Sequence, residues 1–248
     1  MLNYRENLKP RLRTIIDEFF KVGFAYDPEH DRKILEKLFD FLREEDSLRA
    51  FDDDLNVRIA RALVHYIEAS EIYLAEANPK KVYPYMKSFL TRMLATEPKE
   101  WHYQELRLVI ASLQLTETPE QALELASMAN ERIIEFQLVR TTENLEACLA
   151  MNMCARLLTA KFFDTDANVD VVAKFSNLFN RLEDLAEENL DSEFVMMCLY
   201  VTKIRKAVLT ADTHVWTMCE ELVPRYGEKF ANVMDHEVKF YYSIGAFN

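Results

Sequence analysis

One arrangement of apolar residues recurs five times along the chain and restricts it to helices packed on helices. It is clearest in TPEQALELASMANERII, residues 118–134. There Ala122, Leu123, Ala126, Ala129 and Ile133 fall at the i, i+3, i+4, i+7 spacing of one buried helix face. The same template selects Val82, Tyr83, Met86, Phe89 and Met93, then Val171, Val172, Phe175, Leu178 and Leu182, then Val215, Trp216, Cys219, Leu222 and Tyr226. A weaker copy near the start holds Ile34, Leu35, Leu38 and Phe41, with Glu45 in the last apolar place. The residues aligned with Arg132 are Glu44, Arg92, Arg181 and Arg225, which sets steps of 48, 40, 49 and 44 residues. An amphipathic helix needs another element to cover its apolar stripe, so five such helices in series predict helical pairs that pack on their neighbours.

Turn signals divide the chain accordingly. Asp27-Pro28, Asn78-Pro79, Glu97-Pro98, Thr118-Pro119 and Asp212-Thr213 separate helical stretches, since Asp, Asn and Thr cap helices and Pro suits a first turn. The predicted hairpins pair 3–26 with 29–43, 57–77 with 80–96, 101–115 with the template helix, 142–163 with a return to about 189, and 192–211 with a return through Trp216. Thr118 and Gln121 have capping-box spacing. Pro84 predicts a late start or a kink in its helix, and Pro224 with Gly227 predicts a bend or restart in the last return helix. The fold expected is all-α, with about ten antiparallel helices stacked as helical hairpins into a short solenoid. It forms one α-helical repeat domain over 1–248, with a soft boundary at 46–56 separating an N-terminal hairpin from four further ones.

Composition narrows the function classes. Three glycines, Gly23, Gly227 and Gly245, leave no glycine-rich phosphate loop and too few tight turns for a sandwich or barrel. A formal charge of −12 and a pI near 5.0 argue against nucleic acid and anionic membrane as partners, because both demand a basic footprint. Cys148, Cys154, Cys198 and Cys219 sit inside apolar patterns with no CxxC pair and read as reduced, buried thiols. The opening MLNYRENLKPRLR has no apolar signal-peptide core, and no apolar run approaches the about 18 residues of a membrane span. These features predict a soluble protein in a reducing, cytoplasmic setting.

The third hairpin resembles a tetratricopeptide repeat. Glu97-Pro98 matches that family's closing proline, and Ala122 and Ala129 stand seven apart like its small positions on the second helix. The resemblance covers residues 97–134; the steps elsewhere exceed the family's period of about 34 and come close to those of HEAT-type pairs. It implies a right-handed stack whose first helices line a concave surface for peptides or partner proteins.

Several short patterns invite a chemical reading. Asp52-Asp53-Asp54 is similar to the magnesium motifs of all-helical terpenoid enzymes, but no second acidic motif faces it, and a connection or helix N-terminus accounts for it. His30-Asp31 lacks the earlier histidine of metal phosphohydrolases and suits a helix first turn. His65/Glu68 and His102/Glu105 place each pair on one helix face, in the reverse of the ExxH order of di-iron bundles, and predict local hydrogen bonds or surface contacts. Asp235-His236-Glu237 lies near Cys219, which occupies a core stripe. The expectation is a chain without catalytic residues, metal or cofactor. An all-helical metal enzyme and a structural subunit of a larger assembly stand as alternatives.

Binding fits better. The incoming helices carry Arg58, Arg61 and His65, then Gln104 and Arg107, then Asn152, then Tyr200 and Lys203. On a concave face, amide side chains can clamp a peptide backbone and cations can meet its acidic groups. The predicted function is a non-catalytic protein- or peptide-binding module, an adaptor or regulatory receptor. The C-terminal Phe240, Tyr241, Tyr242, Ile244 and Phe247 are too apolar for a free tail. They predict either a capping helix or self-association through Phe240, Tyr241, Tyr242 and Phe247.

Overall fold

Local chemistry sets where the helices begin. The computed structural model describes residues 8–21, 28–46, 54–76, 79–137, 142–164, 166 and 168–245. Pro10 opens α1 (Pro10–Lys21) and Pro28 opens α2 (Pro28–Asp46), at the position where a missing N–H leaves no helical bond unmade. Of the helix expected over 3–26, residues 3–7 and 22–26 lie outside the described residues, and Pro10–Lys21 is helical. Asp54 caps α3 (Leu55–Glu76), its Oδ1 accepting the backbone N–H groups of Asn56 at 2.7 Å and Val57 at 3.2 Å. Burial works to raise the Asp54 pKa, but these hydrogen bonds outweigh it and hold the carboxyl below its ordinary value. Asp52, Asp53 and most of the expected 46–56 boundary lie outside the described residues. Pro79 opens α4 (Pro79–Ala95), which accommodates Pro84 without ending.

The stretch after Glu97 departs from the predicted helix over 101–115. A 3-10 turn at Pro98–Glu100 precedes Trp101, and α5 spans only Tyr103–Ser112 before a second 3-10 turn at Leu113–Leu115. The reason is Trp101, which is fully buried in extended backbone and donates its indole N–H to the Thr96 carbonyl at 3.1 Å. Pro119 opens α6 (Pro119–Gln137), and Thr118 Oγ1 accepts the Gln121 N–H at 3.1 Å. Gln121 Oε1 in turn accepts the N–H of Glu117, one residue before the cap, at 3.0 Å. Then follow α7 (Glu143–Phe163), α8 (Val171–Glu188) and α9 (Glu193–Leu209), the last two capped by the side chains of Asp170 and Ser192. The predicted break in the final return helix divides it into α10 (Val215–Glu220) and α11 (Val223–Tyr226), and Gly227 at φ +84° separates these from α12 (Glu228–Ser243).

The described residues are all-α, with no strand among them. Successive helices pack on one another from α1 to α4 and from α6 to α9, and α12 packs on α9, α10 and α11. The apolar interior falls into two clusters that share α7. Leu145, Leu149 and Met153 join the cluster built by α1 to α6, while Ala150, Cys154, Leu157 and Leu158 join the one built by α8 to α12. Helix α7 is accordingly buried without interruption from Leu149 to Ala160.

The repeated template locates most core positions. Val82, Tyr83, Met86, Phe89 and Met93 are all buried, as are Ala122, Ala126, Ala129 and Ile133. Two helices depart from it in part. In α8 Val172 is 56% exposed, and Phe179 joins Phe175 and Leu182 in the core. In α6 Leu125 is fully buried where Leu123 is half-buried.

Candidate functional site

The residues expected on the incoming helices separate into three groups. In the first, Arg58 of α3 donates through Nε to Glu105 Oε1 at 2.7 Å, and the other Glu105 oxygen accepts the His102 backbone N–H at 3.0 Å. Glu105 is thus both an ion-pair partner and the cap of α5, which makes the predicted His102/Glu105 contact a local hydrogen bond. The neighbouring Gln104 is buried, and its Oε1 accepts from Arg107 at 3.2 Å. The Arg107 guanidinium stacks 3.8 Å from the Phe20 ring centroid, which fastens α5 to α1. Arg61 and His65 lie on the exposed face of α3, with His65 Nδ1 3.6 Å from Glu68.

Asn152 forms the second group alone. It is buried on α7, and its Nδ2 donates to the Ile110 carbonyl of α5 at 3.0 Å and to Cys148 Sγ at 3.4 Å. The asparagine does clamp a peptide backbone, but that backbone belongs to its own chain.

The third group gathers at the far end of the chain. Tyr200 and Lys203 of α9 are half-buried, and the Lys203 ammonium sits 5.7 Å from the Tyr200 ring centroid. Arg225 of α11 brings its guanidinium to 4.6 Å from the same ring, and Tyr226 packs edge-on to it at 6.4 Å. One turn further along α9, Lys206 lies 3.9 Å from the Phe179 ring of α8. Arg225 and Lys206 were absent from the expected site. A faint signal existed, because Arg225 holds the template's anchor place and Lys206 follows Lys203 by three residues.

Three interior arginines do a different task. Arg132 donates through Nε at 3.0 Å and Nη2 at 2.8 Å to the Trp101 carbonyl. Arg156, fully buried, serves the carbonyls of Thr116 at 3.2 Å and Glu117 at 3.0 Å and pairs with Asp164 at 2.7 Å. Arg205 reaches the Met151 carbonyl at 3.3 Å and pairs with Glu237. Trp101, Thr116 and Glu117 lie where the chain leaves its α-helices, so their carbonyls have no helical partner and take donors from Arg132 and Arg156.

The remaining chemical patterns resolve into local roles. His30 and Asp31 stand in the first turn of α2. Glu237 is engaged by Arg205, and Cys219 is buried. Burial first, then the carboxylates of Asp235, Glu237 and Glu220, push the Cys219 thiol up to about 12, so at neutral pH it carries almost no nucleophilic thiolate. Among the described residues no group of three or more His, Cys, Asp or Glu side chains is placed to hold a metal ion. No described helix is long and apolar enough to cross a membrane.

No family model matches the chain, and no curated protein or solved structure is significantly similar to it.

Proposed function

We propose that the chain is a non-catalytic module that binds a protein or peptide partner on the incoming helices of a short solenoid of antiparallel hairpins. The observation that carries this reading is the register of the bonds between helices. Asn144 of α7 meets Ser192 at the start of α9, and Lys161 near the end of α7 meets the Leu209 carbonyl at the end of α9, so the two run side by side in one direction. Arg58 to Glu105 and Asn152 to Ile110 extend that row through α3 and α5. A second row runs through the starts of the return helices, from Tyr83 of α4 to Gln121 of α6 and from Glu120 of α6 to Asn168 just before α8. Within pairs the directions oppose: Lys9, just before α1, meets Glu45 near the end of α2, and Arg181 in the second half of α8 meets Glu146 near the start of α7.

Two parallel rows of opposite direction are the plan of a hairpin solenoid, and such arrays present one row as an extended binding surface. Within the row, α7 is closed over by its neighbours, which leaves the exposed parts of α3, with Arg61 and His65, and of α9, with Tyr200 and Lys203, as the binding positions. The test is capture of partners from native-cell extract by the immobilised full chain and by an Arg61→Glu/Lys203→Glu variant, with metal analysis of the purified protein. The module reading expects a protein held by the wild type and weakened in the variant. Stoichiometric, tightly bound metal in the purified chain overturns it in favour of a helical metal enzyme.

A second reading, self-association, is favoured by one observation. Tyr242 and Ile244 are 57% and 40% exposed beside Trp216, whose ring meets that of Tyr242 edge-on at 6.2 Å. Tyr241 is fully buried against Phe162 and belongs to the core, and Phe247 lies outside the described residues. Sedimentation of the chain at rising concentration tests this reading.

A further inference from the structure

Lys203, Lys206 and Arg225 form a cationic strip over aromatic rings on an acidic protein. The chain carries 42 acidic against 30 basic residues, so a cation placed at random on its surface has abundant carboxylates to meet. Many of its cations do so, as in Lys37 with Glu18, Arg58 with Glu105, Lys80 with Asp164 and Arg181 with Glu146. These three do not: among the described residues none has a carboxylate oxygen within 4.0 Å, and each instead lies on a ring, Lys203 and Arg225 at Tyr200 and Lys206 at Phe179. Lys203 and Lys206 also stand three residues apart on one helix, a spacing at which like charges repel. Each of the three is held by a ring, which leaves its charge free to meet an anionic group brought by a partner.

We infer that this strip, spanning α9 and α11 over Tyr200 and Phe179, binds an acidic segment of a partner protein whose carboxylates replace the counter-ions the chain itself withholds. The inference rests on the module reading and names the partner class for its α9 end. The cations are spread along the helix, Lys203 and Lys206 being about 4.5 Å apart along the axis, and Arg225 approaches from a different element. A run of carboxylates matches such a spread, whereas a single phosphate calls for donors converging on one point. The overall charge of −12 works against a nucleic-acid strand or an anionic membrane, whose charge extends well beyond the strip. Lys203 and Lys206 are half-buried and Arg225 is exposed, so their charged ends remain within reach of carboxylates arriving from solvent.

The experiment is fluorescence anisotropy of the full chain with a labelled, Glu-rich peptide of about twelve residues. Its isosteric Gln counterpart serves as control. The wild type should bind the Glu peptide at low salt, about tenfold more tightly than the Gln peptide, and lose affinity as salt rises. Lys203→Glu/Arg225→Glu should weaken binding of the Glu peptide by about tenfold or more. The milder Lys203→Gln/Lys206→Gln should give an intermediate loss, and it covers the case in which charge reversal disturbs folding. Equal binding by the wild type and the milder variant overturns the proposal, as does failure of the wild type to bind the Glu peptide. Tighter binding of a singly phosphorylated neutral peptide, or of single-stranded DNA of equal charge, overturns the choice of occupant. If Lys203→Glu/Arg225→Glu still captures from extract the protein held by the wild type, the strip is not the contact, while the module reading stands.

Discussion

Arg205 of α9 and Glu237 of α12 form a two-pronged ion pair, Nε to Oε1 at 2.8 Å and Nη2 to Oε2 at 3.1 Å, while Nη1 reaches the Met151 carbonyl of α7 at 3.3 Å. One side chain thereby fastens three helices. Glu237→Ala leaves a nearly buried guanidinium without its counter-charge. It is expected to destabilise the fold by about 2 to 4 kcal/mol, below the fully buried case because Glu237 keeps some contact with water. Arg205→Met/Glu237→Leu should recover most of that loss, since the desolvation of both charges is then avoided. Urea denaturation of the three variants checks both statements.

Gly227 supplies the turn that lets α12 fold back. Its φ of +84° and ψ of 163° lie in a region that only glycine occupies readily, yet a Cβ there would meet nothing within 4 Å. Gly227→Ala should therefore cost about 1 to 3 kcal/mol through backbone strain alone. A crystal or solution structure of the variant should show no steric rearrangement around the new methyl group.

Ala129 is fully buried on α6 and Ala126 nearly so, at 9%. Ala129→Leu is expected to destabilise by about 1 to 3 kcal/mol through overpacking, and Ala126→Leu by less. Thermal melts rank the two, and wild-type stability in the Ala129 variant contradicts its placement against the core.

The thiols of Cys154 and Cys198 report on burial through pH. Burial pushes Cys154 up to about 12 and Cys198 well above its ordinary value. An unfolded thiol titrates near about 8.5, so below that pH both states hold the proton and these groups add no pH dependence. Above it the unfolded chain loses the protons first, and stability should fall as pH rises through the interval up to about 12. At pH near 8 both thiols should resist alkylation in the folded chain and react once it is unfolded in urea. Fast modification of Cys154 under native conditions contradicts its burial.

Much of the helical plan was legible because apolar periodicity and Pro-bearing breaks agree with each other. The break at Gly227 and the Asp54 cap follow from single residues with unusual backbone demands. What stayed hidden has a common physical cause, the two-sided nature of long polar side chains. Arg132, Arg156 and Arg205 look like surface residues in a pattern of apolar and polar letters, yet they are buried, the first two against the carbonyls of Trp101, Thr116 and Glu117 and the third against Glu237 and the Met151 carbonyl. Asn152 was expected in a groove for the same reason that it is buried, its capacity to bind backbone. The single turn of extended chain at Trp101 shortened α5, and nothing in helical periodicity signals a tryptophan that packs better outside the helix. The exposure of Val172 on α8 is a departure from the template finer than an apolar stripe resolves.

The claim that a partner meets the incoming helices is tested most directly by hydrogen–deuterium exchange of the full chain, alone and in complex with the protein it captures. Protection should appear in the exposed parts of α3 and α9 and in α11, with α7 unchanged because it is already buried. Protection confined to α4, α6 and α8, with α3, α9 and α11 exchanging as in the free chain, contradicts the account.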